Sequence, residues 1–219
     1  MGGSIQSNLL CGIFDGMDQA HFEVPRVLDE HSKLFQKLFH PPVHVLGGWI
    51  HGFMFNFVCS DPDLKKDATT QIEVIMRCLS DVVDQHSGLP LGFVCQQDNC
   101  PREGKNTFVW SALLLLVVLD VFRYTMADYL RTGHSHEDID GNFGHVSGHI
   151  ARHEFGSIDE LVSLLDTATK PIAKADSLRK SSLQDGSVRR HSRAYKLDET
   201  ADWKLWQNHL GIKFKGIRV

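Results

Sequence analysis

Gly133-His134-Ser135-His136-Glu137-Asp138-Ile139-Asp140, with Gly141-Asn142-Phe143 behind it, is the stretch on which the fold turns. Before it, Phe122 to Leu130 alternates: Phe122, Tyr124, Met126, Asp128 and Leu130 fall on one side and mostly more polar residues on the other, which predicts a strand. After it, Ile139, Phe143, Val146 and Ile150 recur at helical spacing, and Ser135 with Asp138 has the form of an N-terminal capping box, so a helix is predicted to open here. Glu137, Asp138 and Asp140 then occupy the first turn of a helix at the end of a strand. The positive end of a helix favours carboxylates there and can aim them at whatever lies over the strand tips. Taken alone, the stretch is explained equally well as a plain, well-capped helix start.

Working outward, two more apolar runs close on acids. Leu9-Leu10-Cys11-Gly12-Ile13-Phe14 leads into Asp15-Gly16-Met17-Asp18, and Leu91-Gly92-Phe93-Val94-Cys95 leads into Gln96-Gln97-Asp98-Asn99. Each reads as a buried strand delivering an aspartate to its end, although Asp15-Gly16 is also a common turn dipeptide. Between them, Val27 to His40 is predicted as a short helix stopped by Pro41-Pro42, and Val43 to Trp49 and Ile50 to Val58 as two strands with a bulge or bend at Gly47-Gly48. Asp61-Pro62 has the form of a helix opening, with Leu64, Ala68, Ile72, Ile75, Leu79 and Val82 on one stripe. Thr107 to Val121 is apolar all round, as expected of a helix packed against a sheet and other helices.

The charge is divided unevenly. Up to Asp166 there are 11 Lys and Arg against 22 Asp and Glu, a net of -11; from Thr167 onward there are 12 against 5, a net of +7. An acidic body does not hold nucleic acid by its general field, so a DNA contact would have to come from the tail, a local groove, bound cations or a partner. The five cysteines lie mostly in apolar runs and suit a reducing compartment. No apolar run reaches the length of a membrane span, and Met1 to Gln6 lacks the features of a secretory signal, so neither a membrane nor secretion is expected.

The order of elements is therefore three strands, then helix, strand, helix, strand, helix, with acids at the ends of the first and fourth strands and after the fifth. Two-metal phosphoryl transfer needs that arrangement: oxygen ligands from distant parts of the chain, meeting over one sheet to hold divalent cations roughly 3.5 to 4 Å apart.

Asp15-Gly16-Met17-Asp18-Gln19-Ala20 with Pro25-Arg26, Gln97-Asp98-Asn99-Cys100 with Lys105-Asn106, and the stretch from Gly133 to Asp140 together resemble the three blocks of a eukaryotic transposon-derived, integrase-like catalytic domain. The resemblance covers roughly Leu9 to Arg152 and implies an α/β fold of the ribonuclease H-like kind: a mixed sheet with strands 1–3 antiparallel, then alternating helix and strand, and helices on both faces. It implies DNA strand cleavage and transfer, in which a water and then a freed 3′ hydroxyl attacks a phosphodiester. Asp15, Asp98 and Asp140 would hold Mg²⁺ or Mn²⁺, with Glu137 in reserve for the third acid and Asp18 for the first. Asn99, Lys105 and Asn106 would shape the site or meet phosphate. DNA is the implied partner, the nucleus the implied location with the cytoplasm as the other option, and a homo-oligomer is compatible with it. The rival is a noncatalytic transposon-derived remnant that binds nucleic acid or protein.

Two positions depart from the pattern: Ser135 stands where Thr is usual, and Gly104 where a polar residue is expected. The chain divides on this reading into a core over residues 1–166, a basic flexible linker over 167–200, and a C-terminal helix with a partial strand over 201–219; a catalytic core alone, a fragment or a decayed copy is expected. Arg189-Arg190-His191-Ser192-Arg193 is a weak candidate for nuclear import. His145, His149 and His153 recur every four residues and, with Glu154 or Asp138, are candidate zinc ligands. No thiol pair or His-Glu-x-x-His motif accompanies them, which favours a solvated or hydrogen-bonded helix face.

Overall fold

The first apolar run is a central strand. Strand β1 (Leu9–Gly16) pairs antiparallel with β2 (His44–Ile50) and parallel with β4 (Gly92–Gln97). Strand β3 (Met54–Ser60) is antiparallel to β2, β5 (Tyr124–Tyr129) is parallel to β4, and β6 (His191–Leu197) is parallel to β3. The sheet is thus mixed and six-stranded, in the order β5-β4-β1-β2-β3-β6. The structure, a computed structural model, describes residues 8–17, 22–28, 33, 37, 39–86, 88–129, 138–181 and 191–209; for 138, 170–181, 191 and 209 it describes the backbone only. The helix expected over Val27 to His40 falls largely outside these residues, as do 210–219.

Helices cover both faces. Along β1, Leu10 and Phe14 join a core with α1 (Ala68–His86) and α2 (Thr107–Val118), while Ile13 joins a second core with α3 (Asp138–Ile150) and α4 (Ile158–Ser181). This is the period-two alternation of a strand sandwiched between helix layers. The stripes read from sequence are the buried ones: Ala68, Ile72, Ile75, Leu79 and Val82 on α1, and Ile139, Phe143, Val146 and Ile150 on α3. Among the described residues no helix is long and apolar enough to cross a membrane.

Several expectations are corrected. Gly47 and Gly48 form no bulge; they pair in register with Phe57 and Asn56. They are glycines because helices press on both faces: a Cβ on Gly47 would collide with the Phe143 ring of α3, and one on Gly48 would lie 2.5 Å from Cys78 Sγ of α1. Helix α1 opens at Ala68 rather than after Asp61-Pro62. Asp67 Oδ1 takes the Thr69 and Thr70 N–H groups at 2.9 and 3.4 Å, whereas Asp61 caps a preceding turn through the Asp63 N–H at 3.0 Å. The outer side of α2 is not covered, with Leu114, Val118 and Leu119 exposed. On the edge strand β5 the side carrying Tyr124, Met126 and Asp128 is the exposed one.

The largest difference lies in the stretch expected to be a flexible linker over 167–200. Helix α4 runs on to Ser181, and His191–Leu197 is a strand paired with β3 along its length. A buried polar cluster pins that strand. Asp81 of α1, 4 % exposed, accepts from Asn56 Nδ2 at 2.7 Å and from the Tyr195 hydroxyl at 2.7 Å, with the Arg193 guanidinium at 3.8 Å. Beyond it, α5 (Trp203–His209) docks through Trp203, whose Nε1 donates to Glu73.

Candidate functional site

The parallel register sets Phe14 opposite Gln97, so Asp15, the next residue of β1, and Asp98, just past β4, leave the same end of neighbouring strands. Strands so paired lie about 4.8 Å apart. Helix α3 begins over that end, because Ile139 and Phe143 bury against Gly47 of the strand beside β1, and this brings Asp140 of its first turn toward Asp15. Three carboxylates from three distant parts of the chain therefore converge. The acid pKa of Asp15 rises from 3.8 to about 6. Burial is the chief cause; the Asp140 and Asp98 charges add to it, while the Gly16 N–H, 2.7 Å from Asp15 Oδ1, and Lys66 oppose it. Asp98 is exposed and accepts the Asn99 N–H at 2.6 Å.

A narrow cleft beside Asp15 and Asp98 is lined also by Gln71, Gln97, Glu103 and Gly104, while Asp140 is not among its lining residues. Gly104, unexpected from the sequence pattern, lets the Gln97 side chain approach, since a Cβ there would collide with its Oε1. Gln97 is 2 % exposed, and its buried Oε1 has no hydrogen-bond partner among the described residues. A buried amide oxygen beside carboxylates is a donor set for a hard cation such as Mg²⁺ or Mn²⁺. The side chains are not closed around one point: among the described residues no group of three His, Cys, Asp or Glu is arranged to hold an ion.

The remaining sequence-predicted residues take varied places. Glu137 and Asp18 lie outside the described residues, as does the side chain of Asp138. Asn106 is the N-cap of α2: its Oδ1 accepts the Phe108 and Val109 N–H groups, both at 3.1 Å, and its Nδ2 donates to the Pro101 and Glu103 carbonyls. That amide shapes the loop. Lys105 Nζ lies 5.6 Å from the Tyr129 ring centroid, and the Tyr129 hydroxyl accepts from Trp110 Nε1. Asn99 follows Asp98 at the cleft mouth. At the end of the histidine-bearing helix, His153 Nδ1 is 2.8 Å from the His149 carbonyl, and the two rings are 4.5 Å apart. Glu154, the proposed fellow ligand, accepts the Leu28 N–H.

Sequence reasoning missed Lys66, Glu103 and Gln97. Lys66 Nζ bonds Glu103 Oε2 at 3.1 Å across the cleft, joining the loop before α1 to the loop before α2. Near them His44, whose pKa is lowered by burial and by Lys66, stands at the start of β2. No local pattern marks these residues, because each acquires its place only through the sheet register.

Among curated proteins and among solved structures nothing matches the chain. A family model described as a domain of unknown function, DUF7869, matches residues 33–206, which includes Asp98 and Asp140 and begins after Asp15. The match runs through the core and on across β6 without a break at 166, and by it the chain belongs to the DUF7869 family.

Proposed function

We propose that the protein is a metal-dependent phosphoryl-transfer domain acting on DNA strands, with the ribonuclease H-like, transposase-type organisation that its sequence blocks resemble. The observation that carries the reading is the convergence of Asp15, Asp98 and Asp140 at one end of the sheet, close enough that two of them raise the pKa of the third. Mg²⁺ or Mn²⁺ bound there would supply charge neutralisation and an activated attacking water. Asp15, Asp98 and Asp140 would hold the ion, with the Gln97 oxygen beneath them. The partly buried Asp15 keeps a proton below about pH 6 and becomes a ligand above it. The exposed Asp98 stays open to substrate, and Phe14 and Gln97 wall the cleft floor against bulk water. A nuclear location follows only from the substrate.

The side chains' open arrangement favours a second reading, a noncatalytic transposon-derived remnant that binds nucleic acid or protein. Nicking of plasmid DNA in Mg²⁺ or Mn²⁺ separates the two. Cleavage by the wild type that disappears in Asp98→Asn supports catalysis. Cleavage indifferent to that substitution would remove the mechanism, and silence in both proteins with duplex binding retained favours the remnant.

A further inference from the structure

Lys66 stands beside the first of the three carboxylates. Its ammonium lies against the backbone of Gly16, the residue after Asp15, so closely that a Cβ on Gly16 would be 2.6 Å from Nζ and 2.7 Å from Cε. Glu103, one of the cleft-lining residues, holds it from the opposite loop at 3.1 Å, with the two side chains only 21 % and 23 % exposed. A positive charge is thus stationed at the mouth of an acidic cleft, beside the carboxylates and tethered to an anion that is not one of them. We propose that Lys66 is the phosphate-binding cation of this site, and that Glu103 occupies it until a substrate phosphodiester takes Glu103's place; the inference rests on the nucleic-acid reading above.

The exchange is physically easy. Lys66 passes from one anion to another without ever being buried unpaired, the situation that makes breaking a shielded ion pair expensive. A lysine suits the task because its ammonium is a point charge with several donors on a flexible stem and can follow the phosphate. Glu103, once displaced, stands as a negative charge against any phosphate that does not engage Lys66, so the pair discriminates as well as binds.

This role gives the two members of one salt bridge opposite effects on DNA, which a purely structural bridge does not. The test is binding of a short fluorescent duplex, in EDTA, across a salt series, by anisotropy. Lys66→Met is expected to bind about tenfold more weakly, the scale of one charge-assisted contact, and its plot of log affinity against log salt should flatten by about 1. Lys66→Arg should restore the slope. Glu103→Gln should bind about threefold more tightly, since it frees Lys66 and removes a repulsive charge. Thermal unfolding of the variants, run alongside, reports whether the fold is intact. Folded variants that both weaken binding, or a Lys66→Met protein with an unchanged slope, would overturn the inference while leaving the nucleic-acid reading standing. A wild-type protein that binds no duplex would overturn that reading, and this inference with it.

Discussion

Replacing Asp15 by Asn should stabilise the protein while removing the proposed chemistry. The carboxyl's pKa is raised from 3.8 to about 6 on folding. The folded protein therefore binds the Asp15 proton more tightly than the unfolded chain, so this group's contribution is fully present below pH 3.8, is lost progressively between 3.8 and about 6, and is absent above. A shift of roughly two units, at about 1.4 kcal/mol each, puts the cost of an ionised Asp15 near 3 kcal/mol. Partial solvent contact screens it, and about 1–2 kcal/mol is the better expectation. Asn keeps the acceptor for the Gly16 N–H at 2.7 Å and loses the charge that Asp140 and Asp98 oppose. In EDTA at pH 8, the unfolding free energy of Asp15→Asn in urea should exceed that of the wild type by that amount, or by about 2–8 °C in Tm for a chain of this size. The gap should close below pH 4, and taking it as a difference cancels the histidines, which titrate in both proteins. Saturating Mg²⁺ should also close it at pH 8, by stabilising the wild type through binding. An Asp15→Asn protein less stable than the wild type at pH 8, or a gap independent of pH, would refute the reasoning.

Other expectations follow from the packing. Gly47→Ala should destabilise by about 1–3 kcal/mol, because the new methyl displaces Phe143 from the sheet; urea midpoints measure it, and Phe143→Leu in the same background should recover part of the loss. Tyr195→Phe should cost about 1–3 kcal/mol by leaving the buried Asp81 short of a donor, and hydrogen exchange should show β6 opening more often while β1 is unchanged. Cys59, Cys78 and Cys95 are buried, and burial pushes the Cys78 and Cys95 thiols up to about 12. A thiol reagent at pH 7.5 should therefore modify the half-buried Cys11 and Cys100 first and reach the other three only on unfolding.

The parts of the site that sequence reading reached share one property: a local pattern fixes them. Asp15 and Asp98 end apolar runs that read as buried strands, and Asp140 follows Ile139, the first residue of the stripe it forms with Phe143, Val146 and Ile150. The parts it missed are set by partners far along the chain. His191–Leu197 carries His, Ser, Arg and Lys and resembles a linker in composition. It is an edge strand, half open to solvent, and its place depends on Asp81, which lies 114 residues before Tyr195. The start of α1 was misplaced because two aspartates fit a cap, and only the hydrogen bonds of Thr69 and Thr70 select Asp67.

The same distinction decides how an acidic body can meet DNA. Net charge assigns the basic character to the tail, yet the structure pairs several of its cations with carboxylates: Arg193 with Asp81, Lys196 with Asp198 and Lys204 with Asp67. Charges matched in this way add little to a field that reaches a ligand. At the cleft end of the sheet the balance runs the other way, because Lys66, Arg102 and Lys105 stand in the loops around Asp15, Asp98 and Glu103. Alternating charges on that scale give no strong general attraction but a specific one, in which phosphate seeks the cations and a divalent ion the carboxylates. The acidity of the body then serves selectivity, since a polyanion repelled by the rest of the surface is held where those cations are offered.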